Sequence, residues 1–228
     1  LDVDVKSGQS LQADLASKYG VNKVKFYKCD VTSNVLEDAY ESILKEYGYI
    51  DIVVNCAGIM NDDRKSALIT SSLKAYDIMR VDHGGDGGTI INISSTAALF
   101  KASLFPVYAA TKSAVLQFSN CLGTQPHYPR SGVRVLTICF GGTDTSLLSK
   151  TKLHALDQET ENKIADIMGK FPLQKIESAV AGLIEAFKRG DGGSTWLVNA
   201  DRPAEDITEN ITKAYDITSQ GTGRPPVE

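Results

Sequence analysis

Apolar and polar positions follow two rhythms along this chain. Short, nearly continuous apolar runs recur at 24–30 (VKFYKCD), 50–58 (IDIVVNCAG), 89–94 (TIINIS), 132–139 (GVRVLTIC) and 194–199 (STWLVN). Such runs predict strands buried on both faces. The intervening segments carry helical spacing. Residues 6–20 form a polar amphipathic stretch ending at Gly20, and 33–47 place Leu36, Ala39, Ile43 and Leu44 on one face. Helices are also expected over 64–80, from about Pro106 to Gly123, and over 155–169 and 175–189, with a tight turn at GGDGG (84–88). The tail from about 201 to 228 is polar and is expected to be disordered beyond about residue 218.

Strands alternating with helices predict an α/β fold: one doubly wound, Rossmann-like parallel sheet, with residues 1–228 as a single domain. Such sheets bind ligands beyond the carboxyl ends of their strands. Asp2, Asp30, Asn55, Ser95 and Gly141 fall at or just after predicted strand ends, so one edge of the sheet is expected to gather them.

Bulk properties narrow the function classes. The 228 residues are 42% hydrophobic and 23% charged, with a net charge of −4. The basic residues are scattered, which gives no electrostatic case for nucleic acid or an anionic membrane. No apolar run approaches the roughly 20 residues of a membrane-spanning helix, and the opening LDVDVKSG has no signal-peptide pattern. Cys29, Cys56, Cys121 and Cys139 are widely spaced, each in or beside an apolar run. They read as buried thiols in a reducing cytoplasm, without metal-ligand spacing.

The chemistry concentrates in one segment. Tyr108 and Lys112 stand four apart in PVYAATKSAV, and Ser95 lies thirteen residues upstream in INISSTAA. Positions i and i+4 share a helix face. A neighbouring ammonium favours the phenolate and lowers a tyrosine's pKa, which suits proton exchange with an alcohol or carbonyl. Ser95 can hydrogen-bond the same oxygen. A surface Tyr and Lys at helical spacing are common, so the strand ending in Ser-Ser before a small-residue helix is what raises the pair above background.

With these segments in place, the chain resembles the short-chain dehydrogenase/reductase family from its first residue to about residue 199. It is most similar to the branch of insect alcohol dehydrogenases and NAD-dependent 15-hydroxyprostaglandin dehydrogenases. The matching segments are CDV (29–31), DIVVNCAG (51–58), GGDGGTIINISS (84–95), PVYAATKSAV (106–115), SGVRV (131–135) and TDTSLL (143–148). The resemblance implies Tyr108 as general acid/base, Lys112 as the residue that lowers its pKa and bonds the nicotinamide ribose, and Ser95 as the group orienting the substrate oxygen. Ser94 is the alternative serine, and a strand-end cap is the alternative role for Ser95. The implied cofactor is NAD. Asp2 resembles the acidic residue that binds the adenosine ribose and disfavours a 2′-phosphate, with Asp4 as its rival. Asp30 and Val31 resemble the adenine contacts, although Asp30 also suits a helix N-cap. Asn55, Cys56, Ala57 and Gly58 resemble the NNAG stretch beside the ribose, with Cys56 in place of the second Asn. Thr143 and Thr145 resemble the loop over the nicotinamide carboxamide.

Three departures accompany the likeness. The family's opening strand, glycine-rich TGxxxGxG loop and first helix are absent. About ten residues are missing between Gly58 and the GGDGG turn, including the Asn that completes the family's catalytic set. Both gaps border one cleft, and both pieces are expected to belong to a longer polypeptide; a chain starting at Leu1 is expected to expose unpaired strand edges. Finally, CFGGTDT replaces the usual Pro-Gly, and the extra glycine is expected to loosen the substrate-side loop.

The implied activity is NAD-dependent oxidation of an apolar secondary alcohol to a ketone. Phe105 and Leu147 join Ser95 and Tyr108 as expected substrate contacts, and an aromatic at 105 suits an apolar alcohol better than a hydroxylated fatty acid. Residues 146–172 are expected to form a lid in which Leu147, Leu148, Leu153, Ile164 and Met168 face an apolar pocket or simply pack a helix. Family members are commonly dimers or tetramers. Val115, Leu116 and Phe118 fit either such an interface or ordinary core. The competing readings are a non-catalytic nucleotide- or partner-binding member and a hydrolase using Ser95. No histidine is placed to serve the latter.

Overall fold

The computed structural model describes residues 1–58, 67–148, 157, 159–160, 163–164 and 172–223. Among them the order is α1 (Val5–Tyr19), α2 (Val35–Tyr47), β1 (Ile52–Asn55), α3 (Ala67–Met79), β2 (Gly88–Ser95), α4 (Pro106–Gly123), α5 (His127–Ser131), β3 (Val133–Phe140), α6 (Ile176–Arg189), β4 (Thr195–Val198), β5 (Glu205–Asp206) and α7 (Thr208–Thr218). The strands form one sheet in the order β1-β2-β3-β4-β5. The first four are parallel, and β5 returns antiparallel to β4. This is the predicted α/β architecture.

The long pairing of β2 with β3, from Gly88 opposite Val133 to Ser95 opposite Phe140, is the axis of the molecule. Successive side chains on a strand point to opposite faces. Ile90, Val133 and Val135 therefore pack with Leu36, Tyr40, Tyr76 and Met79 from α2 and α3 on one face. Ile91, Leu136 and Ile138 pack with Ala186, Trp196 and Val198 on the other, against α6. At Gly182 the helix α6 meets β4 so closely that a Cβ would sit 2.5 Å from Val198 Cγ1.

Several expectations change. The predicted strand 24–30 is reduced to a single parallel bridge between Lys28 and Asp2. Among the described residues the segment's only bridge partner is Asp2, whose carbonyl accepts the Cys29 N–H at 2.9 Å. β1 is not buried on both faces: it lies at the sheet edge, with Ile52 47% and Val54 44% exposed. The polar tail contains β5 and α7, which were not assigned from sequence, the second ending at Thr218. Val115 and Leu116 are buried core positions, and Phe118 packs against the first cluster. Cys29 and Cys139 are buried as expected, whereas Cys56 and Cys121 are exposed. Most of the expected lid and of the helix over 155–169, together with Leu153, Met168 and residues 224–228, lie outside the described residues.

The start of α6 is held from a distance. Ala200 and Asp201 both adopt positive φ of 56°, and the turn they make brings Asp201 Oδ1 to 2.8 Å from the Lys175 N–H. A bond from Ser178, reinforced by that N–H, holds the Asp201 carboxyl below the ordinary aspartate value of 3.8. A carboxyl lowered in the folded state stabilises above its unfolded pKa, and the effect is lost as pH falls through the folded value. Asp201→Asn keeps an acceptor and tolerates the backbone. It is expected to lower Tm near neutral pH, with the gap to wild type closing as the pH drops below about 4. Scanning calorimetry across that range tests this, and a gap independent of pH would contradict it.

Candidate active site

β2 ends at Ser95, a one-turn helix follows at Thr96–Ala98, and α4 starts at Pro106. Proline at the first helical position needs no N–H partner and has its φ preset. It fixes the register that puts Tyr108 and Lys112 on the inner face. The Ser94 hydroxyl donates to the Lys112 carbonyl at 2.8 Å, clamping α4 onto β2. Both serines line the cavity, but the Ser94 hydroxyl proton is committed to the Lys112 carbonyl. Ser95 takes up the capping role considered for it, its Oγ accepting the Ala97 N–H at 3.2 Å, and its side chain also bonds the Tyr108 phenol.

Ser95, Tyr108 and Lys112 open onto one cavity of about 590 Å³. Phe105 and Leu147 line it as expected, with Thr143 and Thr145. The Phe105 ring meets Tyr108 edge to face at 6.5 Å. Phe100, Leu104, Ile176, Val180 and Leu183 also line it. They were not singled out from sequence, although the apolar spacing Ile176, Val180, Leu183 is visible there. Ile164, expected on the lid, is in the wall and 3% exposed.

The electrostatics differ from the simple Tyr-Lys picture. Burial raises the Tyr108 phenol above its ordinary value, opposed by the Ser95 hydrogen bond. Lys112 Nζ lies 5.7 Å from the Tyr108 ring centroid and donates to the Ile93 carbonyl at 2.9 Å. Its own burial pushes the ammonium down, opposed by the nearby Cys56 and Cys139 thiols. At the phenol, burial outweighs the Ser95 hydrogen bond.

Of the other expected cofactor contacts, Asn55 ends β1, and Thr143 and Thr145 follow β3, while Asp2 and Asp30 lie at or beside an isolated bridge. Asp2 and Lys28 pair, which sets Asp2 beside the Asp30 turn. Asp4 is the N-cap of α1, accepting the Ser7 N–H and hydroxyl, while Asp2 Oδ1 accepts the Asp4 N–H at 3.0 Å. The Asp30 carboxylate accepts from the Thr32 N–H and hydroxyl. It shapes a turn, while Asn34 occupies the N-cap of α2. Val31 is half-buried and packs against the first core cluster. Asn55 turns inward: its amide donates to Ser72 Oγ and Asn92 Oδ1, and its carbonyl accepts from Ser71. That side chain is engaged in a buried polar seam, so a cofactor contact there falls to the backbone. Cys56, Ala57 and Gly58 are exposed, and a Cβ on Gly58 would meet nothing nearer than 3.9 Å.

The loop after β3 is tethered, contrary to the loosening expected from its second glycine. Gly141 N–H donates to the Val198 carbonyl at 2.9 Å, Gln174 N–H to the Gly142 carbonyl at 2.8 Å, and Asp144 N–H to the Gln174 carbonyl at 2.9 Å. A Cβ at Gly141 would fall 1.8 Å from Asn199 Oδ1, so a side chain there would have to displace the Asn199 side chain. Gln174 went unnoticed in the sequence, where nothing local distinguishes it.

The family model for short chain dehydrogenases matches residues 2–155. The 15-hydroxyprostaglandin dehydrogenase [NAD(+)] of Mus musculus is 31% identical over 157 residues, which is 65% of this chain and 58% of that enzyme. Alcohol dehydrogenase 1 of Ceratitis cosyra is 31% identical over 187 residues, covering 78% of this chain and 72% of that enzyme. The match thus spans less than two thirds of the prostaglandin enzyme. Among solved structures, NAD+-bound xylitol dehydrogenase superposes with TM-score 0.65 at 19% identity, covering 87% of this chain and 85% of that one. L-sorbose reductase from Gluconobacter frateurii, complexed with NADPH and L-sorbose, gives 0.67 at 21% identity, covering 87% and 84%. At those identities the likeness concerns the fold.

Proposed function

We propose, from the premise that this chain belongs to the short-chain dehydrogenase family, that it oxidises an apolar secondary alcohol to a ketone with NAD as hydride acceptor. One observation carries the reading: Ser95, Tyr108 and Lys112 converge on a single, largely apolar cavity. When bound, NAD supplies the oxidant at its nicotinamide ring. Tyr108 takes the hydroxyl proton of the alcohol, Ser95 orients the same oxygen, and Lys112 provides the positive charge beneath. Because burial holds the phenol high, the base needs that charge most when the proton moves.

Asp2, Asp30, Val31 and the backbone of 55–58 hold the adenosine half, and Thr143 and Thr145 face the nicotinamide half. A carboxylate at Asp2 favours NAD over NADP. Phe105 and Leu147 set the apolar substrate wall. The reading includes a single cytoplasmic domain acting as a homo-oligomer, dimer or tetramer. No described helix is long and apolar enough to cross a membrane, in keeping with a small-molecule substrate as the partner.

The test is incubation with aliphatic, terpenoid and steroid secondary alcohols, with NAD or NADP, followed at the NADH absorbance band. Turnover is expected with at least one apolar alcohol and at least about tenfold faster with NAD than with NADP. NAD binding without turnover across the whole panel would favour the non-catalytic alternative. A preference for NADP would remove the role given to Asp2.

A further inference from the structure

Gln174 is 1% exposed, one of the largest fully buried polar side chains in the molecule. Its amide nitrogen donates twice: to Thr143 Oγ1 at 3.0 Å and to the Val198 carbonyl at 3.1 Å. Its oxygen has no hydrogen-bond partner among the described residues. An aliphatic side chain of equal length would avoid burying that oxygen unpaired, which is unfavourable. It would also orphan neither acceptor, because Val198 O still receives the Gly141 N–H and the Thr143 hydroxyl still meets Gly141 O at 3.2 Å. Packing and hydrogen-bond satisfaction alone therefore do not explain an amide here. What the amide adds is orientation. With its proton directed to Gly141 O and one lone pair held by Gln174, the Thr143 hydroxyl has a fixed rotamer on the cavity wall.

We infer that Gln174 is a positioning residue for the cofactor, acting through Thr143 to hold its hydroxyl ready for the nicotinamide end of NAD. This rests on the reading of the cleft as an NAD site. The backbone supports the same role, since Thr143 and Gln174 pair as a parallel bridge and Asp201 anchors the adjoining Lys175 N–H. The amide thus sits at the junction of the β3 loop, the end of β4 and the start of α6, and the group it aims lies in the cavity.

The experiment is a double-mutant cycle read by calorimetric titration of NAD, with Gln174→Met, Thr143→Val and the pair. Gln174→Met is expected to melt within a few degrees of wild type while its Kd for NAD rises about tenfold. Thr143→Val should weaken NAD by a similar factor, the pair should be no weaker than the worse single variant, and Thr143→Ser should restore wild-type affinity. If Gln174→Met does not fold, Gln174→Leu removes the same donor without burying a charge and is read in the same way. Wild-type affinity in a folded Gln174 variant, or factors that multiply in the pair, would overturn the role while leaving the NAD site intact. A wild-type chain that binds no NAD would overturn the site itself, and this role with it.

Discussion

Replacing Tyr108 with Phe is expected to lower kcat/KM for alcohol oxidation by about 10²–10⁴-fold, the usual contribution of a positioned general base. The change deletes one oxygen and keeps the ring. The edge-to-face contact with Phe105 survives, so Tm should stay within a few degrees, and NAD should bind within about threefold of wild type. The pH profile adds a second signature. Burial raises the phenol and Ser95 only partly opposes it, so the base is mostly protonated at neutral pH and wild-type oxidation should quicken as pH rises. The residual rate of the variant should lack that limb. A variant retaining more than about a tenth of the wild-type rate would remove Tyr108 from the chemistry.

The largest stability effect is expected at Leu136. It is 0% exposed, stands opposite Ile91 across the β2–β3 ladder, and packs in the cluster with Ile138, Ala186, Trp196 and Val198. Leu136→Ala should cost about 2–5 kcal/mol, combining lost burial with a residual cavity. Domains of this size are stable by about 5–15 kcal/mol, so a large share of the total is at stake. The urea midpoint should fall with little change in slope. Ile52→Ala, at a side chain 47% exposed, is the internal comparison and should cost less than half as much. Equal losses at the two positions would mean that the second cluster is not the main core.

The elements readable from sequence are those whose signals are local. Proline at 106 and the closing Gly123 bracket α4, and the apolar run around Ile90–Ile93 is long enough to declare β2. Ser95, Tyr108 and Lys112 were legible because a strand end and a helical i, i+4 spacing bring them together without any distant contact. The segment 24–30 misled because a strand needs a partner, and its composition says nothing about whether one is present. α7 was overlooked for its polarity, yet Ile207, Ile211 and Tyr215 repeat every four residues, with Ile207 buried and the other two half-buried. Asn55 illustrates a different limit: the motif fixes its place along the chain, while the direction of its amide follows from Ser71, Ser72 and Asn92, supplied by other elements. Gln174 is harder still, since its meaning depends on three segments meeting at one point.

One helix serves two masters in this molecule. On α6, Leu183 packs with Trp196 and Val198 and also walls the cavity, one turn on from Ala179, which is core and wall at once. Reshaping the pocket from this side therefore loosens the sheet that supports it. Retuning for bulkier alcohols is best sought at Phe100, Leu104 and Phe105 across the cavity, none of them in either core cluster, where specificity can drift without eroding the scaffold.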